Sequence, residues 1–138
     1  MKTFSILLFT MAMVLFSGCE KADEAPGQVK KLDATGILGT WEIQTYTANG
    51  ITDMSIHCCE FTEFIDDDQP GDYNGLYKTY GPGYESNGIF TIDPDSSILV
   101  FGDSTDQTVY DYQIQNDNLT VYYTEDGDEI ELTYIKRE

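Results

Sequence analysis

From residue 39 to the C-terminus, short runs rich in Val, Ile, Thr, Tyr and Phe alternate with clusters of Gly, Asn, Asp and Pro. Within the runs, apolar and polar positions alternate with period two, the pattern of strands buried on one face. The runs recur at roughly 8–12-residue spacing, which predicts an all-β sandwich or barrel. Eight strands are expected, over residues 39–47, 57–65, 73–80, 85–92, 97–101, 107–115, 118–124 and 129–136. In the first, Trp41, Ile43 and Thr45 fall on one face; in the last, Ile130, Leu132 and Tyr134 oppose Glu131 and Thr133. Asn49-Gly50, Asn116-Asp117 and Asp126-Gly127 supply residues suited to tight hairpin turns. Gly81-Pro82-Gly83 ends the third strand, and the proline of Asp93-Pro94-Asp95 presets a turn. No stretch after Cys19 has a helical period, and no gap is long enough for a parallel crossover. The expected fold is a small antiparallel up-and-down barrel of about eight strands, whose closure removes exposed edges. A β-sandwich is the alternative, and pairing of the first and last strands separates the two.

The N-terminal pattern is different. Lys2 precedes an apolar run over residues 4–16, then Ser17-Gly18-Cys19, and the chain turns acidic at Glu20. A positive start, an apolar middle and small residues before a cut make a secretory signal peptide. The run falls short of the ~20 apolar residues that a transmembrane helix needs. Leu15-Phe16-Ser17-Gly18-Cys19 resembles the lipobox of bacterial lipoproteins, with Phe16 where leucine is usual. The resemblance implies cleavage between Gly18 and Cys19 and a diacylglycerol on the Cys19 thiol. Each buried methylene of such chains, palmitate among them, contributes about 0.8 kcal/mol, and two chains anchor a protein stably. No Asp follows Cys19 directly, so the inner-membrane retention signal is absent. Glu20-Lys21-Ala22-Asp23-Glu24 is similar to the export tag of Bacteroidetes lipoproteins, which implies an outer-membrane lipoprotein exposed at the cell surface; a solvated, charge-rich linker is the alternative.

The chain thus divides into a signal peptide (1–18), a lipidated flexible tether (19–36) and one domain (37–138). A tether of this composition reaches roughly 20–25 Å. The charge then narrows the partners. Seven Lys and Arg stand against 25 Asp and Glu, a formal net charge of −18. A phosphate backbone needs clustered cations, so nucleic acid is excluded. Acidity of this degree suits solubility, a divalent cation or a basic partner.

Gly39-Thr40-Trp41, the segment 58–64 and the closing Leu132-Thr133-Tyr134 look like the lipocalin-like domains of Bacteroidetes lipoproteins. The likeness covers residues 38–138, although the barrel is shorter than a full lipocalin and lacks the helix before the last strand. It implies that Gly39 and Trp41 close one end of the barrel beneath a cation, Lys136 or Arg137, stacked on the indole. Lys136 has the parity of Ile130, Leu132 and Tyr134.

Candidate chemistry is sparse. His57, the one histidine, shares a strand face with Cys59, but zinc wants three or four ligands and no third is placed. Cys58 and Cys59 are expected to stay thiols, one of them buried, because strand neighbours face opposite ways. Asp66, Asp68 and Asp72 are candidate calcium ligands in an oxygen-rich loop whose spacing is not that of an EF-hand; a solvated loop is the alternative. Tyr110, Tyr112 and Tyr122, among ten tyrosines, are candidates to line a ligand mouth, against ordinary cross-strand packing. Asp103-Ser104-Thr105 resembles the O-glycosylation motif of Bacteroidetes exported proteins. No cofactor and no catalytic residue is expected. The reading is a non-enzymatic, lipid-anchored envelope protein whose barrel binds a small apolar ligand. The alternative is an interaction module with a filled barrel and an acidic surface that docks another envelope protein.

Overall fold

The computed structural model describes residues 31–53, 59–69 and 71–138. Its strands are β1 (Gly39–Ala48), β2 (Ile51–Asp53), β3 (Phe61–Asp66), β4 (Asn74–Gly81), β5 (Tyr84–Asp93), β6 (Ile98–Asp103), β7 (Asp106–Gln115), β8 (Asn118–Glu125) and β9 (Asp128–Arg137). They form one antiparallel sheet in the order β2-β1-β3-β4-β5-β6-β7-β8-β9. β1 also pairs with β9, from Thr40 opposite Arg137 to Ala48 opposite Ile130. That pairing closes β1 and β3–β9 into an eight-stranded up-and-down barrel and rules out the sandwich.

β2 is the strand that alternation did not predict. Asn49 (φ 49°) and Gly50 (φ 76°) both take positive φ, as a type I′ hairpin turn requires. Such a turn needs a returning strand, and Ile51–Asp53 pairs back onto the last three residues of β1. Three exposed residues are too few to show a period, so the turn was the only signal. The second expected strand also begins later, at Phe61. Cys59 lies in an exposed left-handed turn (φ 86°), so strand parity does not extend to it as expected. His57 and Cys58 lie outside the described residues.

A β-bulge corrects the reading of β1. Trp41 and Ile43 oppose Lys136 and Tyr134, but the register shifts before Thr45, which opposes Thr133 and touches its hydroxyl. One extra residue reverses the parity. Tyr46, opposite Leu132, therefore shares the inner face with Trp41, and Thr45 does not.

The core gathers at one end: Leu32, Ile37, Trp41, Phe64, Phe90, Ile92, Leu99, Leu119 and Val121. Phe64 and Phe90 meet edge to face at 4.9 Å. Gly75 makes room for this, since a Cβ there would stand 2.5 Å from the Phe90 ring. Leu32 and Ile37, at 2% and 0% exposure, flank a single 3-10 turn (Asp33–Thr35). The last residues assigned to the tether are thus packed as a plug. Thr35 Oγ1 donates to the Leu32 carbonyl at 2.6 Å and accepts from the Ile37 N–H at 3.2 Å, which holds the plug in its turn.

Candidate functional site

The plug and the tryptophan seal one end of the barrel. Trp41 Nε1 donates to the Ile37 carbonyl at 2.7 Å, so the one polar atom of a fully buried indole is satisfied. Lys136 Nζ donates to the Gly36 carbonyl at 3.1 Å and lies 5.2 Å from the centroid of the Trp41 ring. Gly39, with φ 117°, passes so close that a Cβ would stand 3.1 Å from the Lys136 side chain. Arg137, the other candidate cation, points to the opposite face and pairs with Glu42. Strand parity explains the choice, because adjacent residues of β9 cannot both face inward.

The other half of the barrel holds a cavity of about 350 Å³, within the range of small-molecule sites. Its inner end meets the core at Phe64, Leu99, Leu119 and Val121. Its walls carry Tyr77, Phe101, Tyr110, Tyr123, Leu132 and Tyr134, interspersed with the hydroxyls of Thr62, Thr79, Ser86 and Thr108. The rings form a chain of edge-to-face contacts: Tyr77 to Phe101 at 4.7 Å, Phe101 to Tyr110 at 5.5 Å, and Tyr110 to Tyr123 at 5.0 Å. Gly88, across from Tyr77 on β5, gives that ring a flat place to lie; a Cβ would come within 2.8 Å of it.

Burial sets the electrostatics of the wall. It pushes the phenols of Tyr110, Tyr123 and Tyr134 up, Tyr123 to about 12, and neighbouring charges add to this. Glu125 acts on Tyr110 and Tyr123, and Glu60 on Tyr134. Tyr84 at the rim is raised by burial and then by Glu60, which accepts its hydroxyl. These tyrosines are neutral at physiological pH and offer hydrogen-bond donors on an aromatic surface.

The three tyrosines singled out from sequence separate in space. Tyr110 lines the cavity. Tyr112 shares its face but packs against the closed-end core, one pleat deeper, and does not line the cavity. Tyr122 is on the outer wall, in register with Asp111 and Glu131, because its neighbours Val121 and Tyr123 take the inner face. The lining tyrosines missed were Tyr77, Tyr123 and Tyr134. The period of two placed Tyr123 with Leu119 and Val121 and Tyr134 with Leu132, but it carries no information on which end of a face is filled.

In the acidic loop Asp66, Asp67 and Asp72 accept hydrogen bonds from amides two residues on. Asp66 Oδ1 accepts the Asp68 N–H at 2.7 Å, and Asp72 accepts the backbone and side-chain amides of Asn74 at 3.3 and 3.0 Å. Asp66, Asp68 and Asp72 are not gathered into a metal-ligating group, and no such group occurs among the described residues. Gly18 and Cys19 lie outside the described residues. No protein-family model, curated protein or solved structure matches the chain.

Proposed function

We propose that the protein is a lipid-anchored envelope protein whose lipocalin-like barrel binds a small, largely apolar ligand at its open end. The observation that carries the binding half is the cavity, which among the described residues is open at the end opposite the Trp41 plug and lined mainly by rings and aliphatic side chains. A barrel built only for stability has no reason to leave such surface unpacked, since a void forfeits the dispersion contacts of its lining. The anchoring half rests on the lipobox ending at Cys19, and the Bacteroidetes-type outer-membrane placement on the acidic stretch after it. In this reading the protein is a carrier or receptor and performs no covalent chemistry.

Two measurements test it. Native mass spectrometry of protein released from its own membrane is expected to show a bound small molecule; a mass equal to the acylated chain alone counts against binding. Palmitate labelling is expected for the native chain and lost in Cys19→Ala; equal labelling of both removes the anchor.

A second reading, docking of another envelope protein, is favoured by one observation. Ile65, Leu76 and Ile89 stand in register across β3, β4 and β5 and are all exposed, an apolar stripe on the outer wall.

A further inference from the structure

The chemistry of the open end narrows the ligand further, and this inference rests on the barrel being a binding site. Among the described residues, the cavity wall carries no charged side chain, and its polar side-chain atoms are hydroxyls. Among the described residues, the charged groups carried by the turns around its mouth are acidic. The β6–β7 turn brings Asp103 and Asp106, the β8–β9 turn Glu125, Asp126 and Asp128, and Glu60 stands at the start of β3. Cations are distributed the other way. Among the described residues, Lys136 and Arg137 are committed at the plugged end, and Lys31 there lies over the Tyr73 ring. Lys78 alone stands in the open half. It alternates outward between the cavity-lining Tyr77 and Thr79 and is paired with Glu85 at 3.2 Å.

An apolar anion such as a fatty carboxylate would leave water for a site with no cation to meet it, which is costly. An organic cation finds the reverse. Its charge is attracted by the faces of aromatic rings, and most strongly where the site is desolvated. Edge-to-face contacts turn successive rings of the Tyr77-Phe101-Tyr110-Tyr123 chain nearly at right angles to one another, and all four residues line the cavity. The carboxylates of Glu60 and Glu125 act on the phenols of the cavity wall, so their field reaches the same space.

We infer that the ligand is an amphiphilic organic cation, an amine or quaternary ammonium group on a short apolar body. Its body rests against Leu99, Leu119 and Leu132, and its charge lies among the tyrosines below Glu60 and Glu125. The size of the cavity limits the body to a short chain or a ring system of modest size.

Three probes of equal chain length decide the matter: octyltrimethylammonium, 1-octanol and octanoate, each titrated below its micellar range by calorimetry. The mature chain, residues 19–138 carrying Cys19→Ala, is used; it has neither acyl chains nor the apolar run 4–16, so no detergent competes for the barrel. The cation is expected to bind about tenfold tighter than the alcohol, with the rim carboxylates supplying most of the gap and the rings the rest, and octanoate weaker than both. Raising the salt concentration is expected to narrow the gap. Glu60→Gln with Glu125→Gln should remove most of the preference and leave octanol binding unchanged; circular dichroism checks the fold. Tyr110→Leu with Tyr123→Leu should weaken the cation more than the alcohol. Octanol or octanoate binding as tightly as the cation overturns the inference and leaves the binding reading standing. Binding of none of the three by a folded protein overturns both.

Discussion

The two ends of the barrel are made by the same strands and filled in opposite ways. At the plugged end Trp41, Leu32, Ile37, Phe90 and Leu99 leave almost no surface to water, and Trp41 Nε1 and Lys136 Nζ both donate to backbone carbonyls. At the open end the same inner face carries tyrosines and threonines around a cavity, and the rim is acidic. The difference separates stability from recognition. Apolar burial is what closes a small domain against its chain entropy. An unfilled aromatic mouth adds little to stability and keeps surface in reserve for a guest.

The sharpest way to break this contrast is Trp41→Ala. It deletes the largest buried side chain and is expected to cost about 3–5 kcal/mol, much of the stability of a domain this size, read by denaturant titration. Leu32→Ala comes next, at about 2–5 kcal/mol if the plug belongs to the core; a loss near zero would return residue 32 to the tether. The pH dependence probes the open end. Unfolded phenols ionise near pH 10, whereas burial holds Tyr123 and Tyr134 protonated to higher pH. Between about pH 10 and 12 the unfolded chain therefore binds fewer protons, and stability falls as pH rises; below pH 10 these groups add no slope. Melting temperatures across that window should fall less steeply in Tyr123→Phe with Tyr134→Phe. Lys136→Met removes the hydrogen bond to Gly36 and the contact with the Trp41 face, for about 1–2 kcal/mol. Tyr110→Leu should be the smallest effect, about 1 kcal/mol or less. A loss as large as that of Trp41→Ala would mean that the mouth is part of the core.

Much of the architecture was legible because strand chemistry is local. The turns at Asn49-Gly50 and Asp126-Gly127 state their geometry in their own residues, and the alternation of Ile130, Leu132 and Tyr134 names the inner face of β9. The candidate site was legible only in part. Of the three tyrosines named from sequence, Tyr110 lies in the cavity wall, Tyr122 on the outer face, and Tyr112 on the inner face against the closed-end core. The bulge after Ile43 has no mark in composition, yet it decides that Tyr46 and not Thr45 faces inward.

By itself the sequence determined the eight strands of the barrel, their order in a meander, most of their inner faces and the excess of negative charge, because each follows from side-chain period, turn residues or a count. The tertiary structure alone decided that β1 meets β9, that Leu32 and Ile37 fold back over Trp41, and that one end is filled while the other stays open. Those outcomes depend on how side-chain volumes from eight strands sum at a given depth in the barrel, a quantity that no single segment contains.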